Sequence, residues 1–91
     1  MTQQYPELED LVDFPTLFTF RALAAPREGL LQACQQAAEA TLGRGIDEIN
    51  ERPSKNARWV SVRISVQVIS AEEIRSTYAA IHAVDGVKMM L

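Results

Sequence analysis

Trp59-Val60-Ser61-Val62-Arg63-Ile64-Ser65-Val66-Gln67-Val68-Ile69 is the stretch from which the fold is read. Val60, Val62, Ile64, Val66 and Val68 alternate with Trp59, Ser61, Arg63, Ser65 and Gln67. Alternation at period two marks a half-buried strand, because successive side chains leave opposite faces of the pleat. The apolar set is entirely β-branched, and such side chains pack well on a pleated surface. A strand this long with one wholly apolar face belongs at the centre of a sheet that is covered on one side and wet on the other.

The sequence on either side of this strand supplies its partners. Ser70-Ala71-Glu72-Glu73 follows directly and reads as a capping box, with the Ser70 hydroxyl accepting from the Glu73 amide and Glu73 reaching back. Ile74, Thr77, Tyr78 and Ile81 continue it as a helical stripe, and His82 near the end suits the negative end of the helix dipole. Asp85-Gly86 is a turn, after which Val87, Met89 and Leu91 alternate with Lys88 and Met90 in a last strand.

Upstream, Pro53-Ser54-Lys55-Asn56 is a turn, and Ile46–Arg52 reads as an edge strand. Asp47, Glu48, Glu51 and Arg52 would guard that edge, and the three-residue spacing of Ile46 and Ile49 predicts a bulge in it. Pro26–Leu42 reads as a helix with Pro26 in its first turn, an apolar stripe of Leu30, Leu31, Cys34, Ala37, Ala38 and Thr41, and Gly43 ending it. Phe14–Leu23 reads as a strand with Phe18, Phe20 and Ala22 toward the core and Leu17, Thr19 and Arg21 away from it.

The order β-α-β-β-α-β predicts an α+β ferredoxin-like sandwich. Its four-stranded antiparallel sheet has the order 4-1-3-2, with both helices on one face. Residues 1–13 read as a polar N-terminal tail and 14–91 as a single domain.

Composition narrows the function. A chain of 91 residues with 47% hydrophobic and 23% charged residues carries one modest core. A net charge of −3 argues against a nucleic-acid binder. No apolar run reaches the ~18 residues of a membrane span. Met1-Thr2-Gln3-Gln4-Tyr5-Pro6-Glu7 has neither the charge nor the apolar run of a secretory signal, and the single cysteine suits a reducing cytoplasm. Cys34 and His82 are the only thiol and imidazole, against the roughly four ligands of a structural zinc. Cys34 sits mid-stripe on its helix and reads as a small buried apolar residue. No Gly-x-Ser-x-Gly elbow and no phosphate-cradling glycine motif occurs. No enzyme, metal or cofactor is expected.

The open sheet face is then the candidate site. Trp59, Ser61, Arg63 and Gln67 share it by alternation with Thr19, Arg21, Lys88 and Met90. Trp59, Arg63, Arg21 and Lys88 are the candidate partner-binding residues, since tryptophan and arginine recur at interface hot spots. Pro53, Ser54 and Lys55 form a candidate loop site. The expected partner is a protein with an acidic rim and an apolar pocket, or else a small metabolite; a homodimer is left open. Arg58-Trp59-Val60-Ser61-Val62 does not fit the RNA-recognition pattern, so nucleic acid is the weakest reading.

Phe14-Pro15-Thr16-Leu17-Phe18-Thr19-Phe20, Arg52-Pro53-Ser54, Trp59-Val60-Ser61-Val62 and Val87-Lys88-Met89-Met90-Leu91 resemble the YbeD-like family of small bacterial proteins of unassigned function. The resemblance spans roughly residues 10–91. It implies a fold similar to the regulatory ACT domains of amino-acid metabolism, and by analogy a regulatory or ligand-sensing role. Family members often read Pro-Ser-Ser-x-Gly; here Lys55 stands at the second serine and Ala57 at the glycine. Gly29 falls about two residues later than the glycine with which ACT domains bind amino acids.

This face assignment predicts that Val66→Asp unfolds the domain, because a buried carboxylate without a partner is very costly. Ser65→Asp on the opposite face should be tolerated. Circular dichroism of both purified variants checks it, and a folded Val66→Asp protein would mean that the faces are reversed.

Overall fold

β1 (Thr16–Ala24) and β3 (Val60–Val68) run antiparallel along their whole length, from Thr16↔Val68 to Ala24↔Val60, in the computed structural model, which describes residues 12–91. β2 (Glu48–Pro53) pairs with the far side of β3, and β4 (Val87–Met90) with the far side of β1. The order β2-β3-β1-β4 is the predicted one. Two helices, α1 (Leu30–Leu42) and α2 (Ala71–His82), complete the ferredoxin-like fold. The expected polar tail over residues 1–13 lies largely outside the described residues.

One cluster forms the core. Val60, Val62, Ile64, Val66 and Val68 meet Phe20, Ala22 and Ala24 across the central ladder. Leu30, Cys34, Ala38 and Leu42 of α1 and Ile74 and Ile81 of α2 close over them, so both helices cover the same face. The ring of Tyr78 meets Phe20 edge-on at 5.0 Å, and Phe18 lies 4.8 Å from Phe20. These tilted contacts suit the ring quadrupoles and seat α2 on β1.

The structure corrects several expectations. β1 begins at Thr16 rather than Phe14, after a cis Phe14–Pro15 peptide, and runs to Ala24. α1 begins at Leu30 rather than Pro26. Gly29 sits in the left-handed region at φ 75°, which interrupts a helix, and residues 26–28 form a loop. The Arg27 guanidinium pins that loop by donating to the Asp85 and Glu28 carbonyl oxygens, each at 2.8 Å. On α1 the deepest row is Leu30, Cys34, Ala38 and Leu42, while Thr41 is exposed and donates back to the Ala37 carbonyl.

No bulge interrupts β2, whose register runs without a break from Glu48↔Ser65 to Pro53↔Val60. Ile46 packs against the core from the loop ahead of the strand, which accounts for its odd spacing from Ile49. The bulge lies instead where β4 meets β1, between Leu23↔Met89 and Ala24↔Val87. It turns the last residues over. Met90, expected on the open face, packs against the core with Val87, while Met89 and Leu91 are exposed.

The capping box holds in part. The Ser70 hydroxyl accepts from the Glu73 amide at 3.2 Å, but the Glu73 carboxylate accepts from the Ile69 N–H at 2.9 Å. It is drawn there by Arg44, which donates to both carboxylate oxygens at 3.0 and 2.7 Å. The same guanidinium donates to the Leu42 and Gln67 carbonyls, so one side chain joins the end of α1, the end of β3 and the start of α2.

The bidentate bond from Arg44 holds the Glu73 carboxyl below the usual carboxylate range. Its stabilisation is therefore complete above that range and is lost as the pH falls through the depressed native value. Glu73→Gln should lower stability by about 1 kcal/mol near neutral pH, a figure discounted for the partial exposure of Arg44. The urea midpoints of variant and wild type should converge as the pH is lowered through the depressed native value of Glu73.

Candidate functional site

Helices cover one side of the sheet, so the pairing register alone arranges the other. Arg63 on β3 lies opposite Arg21 on β1 and opposite Asn50 on β2. Ser61, two residues back, lies opposite Leu23 and Arg52. The Leu91 N–H donates to the Arg21 carbonyl at 2.8 Å and carries the chain past β4 along the same face. Arg21, Asn50, Arg52, Ser61, Arg63 and Leu91 line a shallow hollow of about 180 Å³. Farther along, the Thr19 and Ser65 hydroxyls share a hydrogen bond of 2.9 Å.

The electrostatics of the hollow are one-sided. Like charges directly opposite each other weaken a ladder, and Arg21 and Arg63 are such a pair. The guanidinium groups of Arg21, Arg52 and Arg63 make no hydrogen bond or ion pair among the described residues, in contrast to the tied-down Arg27 and Arg44. Glu48 shares this face by register but stands opposite Ser65, outside the hollow. Three arginines thus line one hollow on a domain of net charge −3, and among the described residues of this face the acidic side chain is Glu48, diagonal to Arg63 on the side away from Arg52.

The structure brings Arg21 and Arg63 together as the sequence placed them. It does not add Trp59 or Lys88 to them. Trp59 precedes β3, is 36% exposed and does not line the hollow. Lys88 is the extra residue of the β4 bulge, exposed and without an opposite number on β1. Asn50, Arg52 and Leu91 were missed as lining residues. A bulge expected in β2 hid the face of its residues; a regular register would have set Asn50 and Arg52 opposite to Ile49.

The loop candidates are parts of a turn. Pro53 ends the edge strand β2, opposite Val60. The Ser54 N–H donates to the Trp59 carbonyl at 2.7 Å, and the Ser54 hydroxyl accepts from the Trp59 N–H at 3.0 Å. Lys55 is exposed in that turn. Ala57 occupies the left-handed region at φ 57°.

Other reactive groups lie away from this face. Cys34 is buried in the core, and burial pushes its thiol pKa up, so the thiolate is disfavoured. Among the described residues no group of three or more His, Cys, Asp or Glu side chains is placed to hold a metal ion. Among the same residues no helix is long and apolar enough to cross a membrane.

Comparison with known proteins places the chain in a family and confirms its fold. The family described as "Protein of unknown function (DUF493)" matches residues 9–91. A UPF0250 protein of Haemophilus influenzae is 29% identical over 87 residues, covering 96% of this chain and 94% of its own. A UPF0250 protein of Leptothrix cholodnii is 24% identical over 90 residues, covering 98% of this chain and 99% of its own. Among solved structures, the solution structure of protein HP0495 from H. pylori is similar with a TM-score of 0.73 at 20% identity, covering 98% of both chains. An uncharacterized protein from Thermotoga maritima is similar with a TM-score of 0.57 at 9% identity, over 82% of this chain and 92% of that one. The relatives bear out the YbeD-like resemblance, and the structures bear out the fold.

Ala57→Gly should stabilise the β2–β3 turn. The left-handed conformation costs an alanine roughly 1–2 kcal/mol, against an entropic cost for glycine of roughly 0.5–1 kcal/mol. A net gain of about 0.5 kcal/mol is expected, read as a higher urea midpoint. A lower midpoint would show that the turn has another shape.

Proposed function

The chain belongs to the DUF493 family of proteins of unknown function, and we propose that it is a non-catalytic regulatory or interaction module that recognises an anionic partner on its open sheet face. One observation carries this reading. Arg21, Arg52 and Arg63 surround a common hollow and have no partner within the described residues. Holding like charges side by side costs stability, and an anion from outside offsets that cost. Guanidinium groups suit the task because their forked donors match oxyanions and their water is weakly held. Trp59 and Met89, exposed nearby in the chain, offer apolar area for the rest of a partner.

Catalysis has no comparable support. Cys34 is shut in the core, and His82 stands exposed at the end of α2. The alternative of a metabolite sensor at the start of α1 is weakened by Arg27, whose side chain fills that turn and lies against Gly86. The acidic composition speaks against nucleic acid, and the cytoplasm remains the compartment that the lone thiol suits.

A short oligoglutamate peptide titrated into ¹⁵N-labelled protein tests the reading. Amide signals of Arg21, Arg52, Ser61 and Arg63 should move, and those of α1 and α2 should not. Arg63→Glu should abolish the change and leave the fold intact, since Arg63 is exposed. Equal shifts in the Arg63→Glu protein would remove the open face as the binding surface.

A further inference from the structure

We infer that the hollow formed by Arg21, Asn50, Arg52, Ser61, Arg63 and Leu91 is a binding site for a phosphoryl group. This deepens the reading above and rests on it: the open face takes an anion, and the lining says which kind. A carboxylate is planar and has two oxygens with about four lone-pair sites, of which the fork of one arginine fills two. The hollow offers three guanidinium forks, the Asn50 amide and the Ser61 hydroxyl. That is more donor capacity than a carboxylate can accept. A phosphate monoester has three terminal oxygens at tetrahedral angles and a charge of roughly −1.5 to −2 near neutral pH.

The register supplies the matching geometry. Arg21 and Arg63 are direct cross-strand neighbours, and Arg52 approaches from the diagonal, since it lies opposite Ser61 rather than Arg63. Direct neighbours on a sheet stand roughly 5 Å apart and diagonal ones roughly 7–8 Å. Arg21 and Arg52 stand on the two strands that flank β3, roughly 10–12 Å apart at the backbone, and the length of the three side chains lets each contribute to a different oxygen of one tetrahedral anion. Size sets the upper limit. About 180 Å³ is well below the roughly 300–1,000 Å³ of sites that enclose a drug-sized molecule. The hollow therefore holds the phosphoryl group and a short stub, with the remainder of the ligand outside it. Leu91 is the one apolar wall and suits the carbon side of the ester.

The group reaches the site on a small phosphate ester or on a phosphorylated side chain of a partner, and it presents the same oxygens either way. The test is an amide titration of ¹⁵N-labelled protein at constant ionic strength, using inorganic phosphate, succinate and sodium chloride as probes. Phosphate should shift Arg21, Arg52, Ser61 and Arg63 saturably, and succinate should bind about tenfold more weakly. Arg63→Gln and, independently, Arg52→Gln on the edge strand should each weaken phosphate by about tenfold. Free O-phosphoserine and a phosphoserine peptide separate the sources: equal affinity indicates a small ester, and tighter binding of the peptide indicates a protein. Succinate or oligoglutamate moving these signals while phosphate does not would overturn the phosphoryl assignment and leave the anion-binding reading standing. Silence from every anion beyond the chloride control would overturn both.

Discussion

The central ladder between β1 and β3 is the constraint on which the rest depends. It pairs Thr16–Ala24 with Val60–Val68 without a slip. Slipping by one residue would turn every valine of β3 to water and every serine and arginine to the core. The aligned valines form a continuous apolar face, and both helices pack their own apolar rows against it. Leu30, Cys34, Ala38, Leu42, Ile74 and Ile81 settle on the valine face, and among the described residues no helix covers the opposite face.

A second layer of order comes from polar groups at the ends of elements. Arg44 gathers the Glu73 carboxylate and the carbonyls of Leu42 and Gln67. Asp47 accepts from the Gln67 N–H at 2.9 Å on the same side of the molecule. At the other end Arg27 holds the loop before α1 against the loop before β4. These contacts satisfy backbone groups that the helix and strand ends would otherwise leave unpaired. They also tie down the guanidinium groups of Arg27 and Arg44, in contrast to those of the arginines that line the hollow.

The arginines of the open face differ because the ladder itself positions them. Arg21 and Arg63 are held opposite each other by the pairing that buries Phe20 against Ile64 and Ala22 against Val62. Burial of the valine face outweighs the small repulsion between two exposed cations, so the fold tolerates the arrangement. For the proposed anion site this means preorganisation, since a binding step there need not order the strands.

The sequence by itself determined the element order, the strand order, the buried face of β3 and the serine cap of α2. The element order, the buried face of β3 and the cap follow from local periodicity or from bonds between near neighbours, which Val60 to Val68 and Ser70 to Glu73 state within a few residues, and the strand order follows from the topology that this element order implies. The placing of Arg21 and Arg63 on one face was equally legible, since it needs only the period of two. Tertiary structure decided what depends on register between distant segments. The bulge belongs to β4 rather than β2, and so Met90 turned inward and Leu91 outward. Asn50 and Arg52 joined the hollow only because β2 pairs regularly with β3. Glu73 turned from its own cap to Arg44, 29 residues away. A periodicity shows which residues of a segment share a face; only the pairing of segments brings those faces into one site.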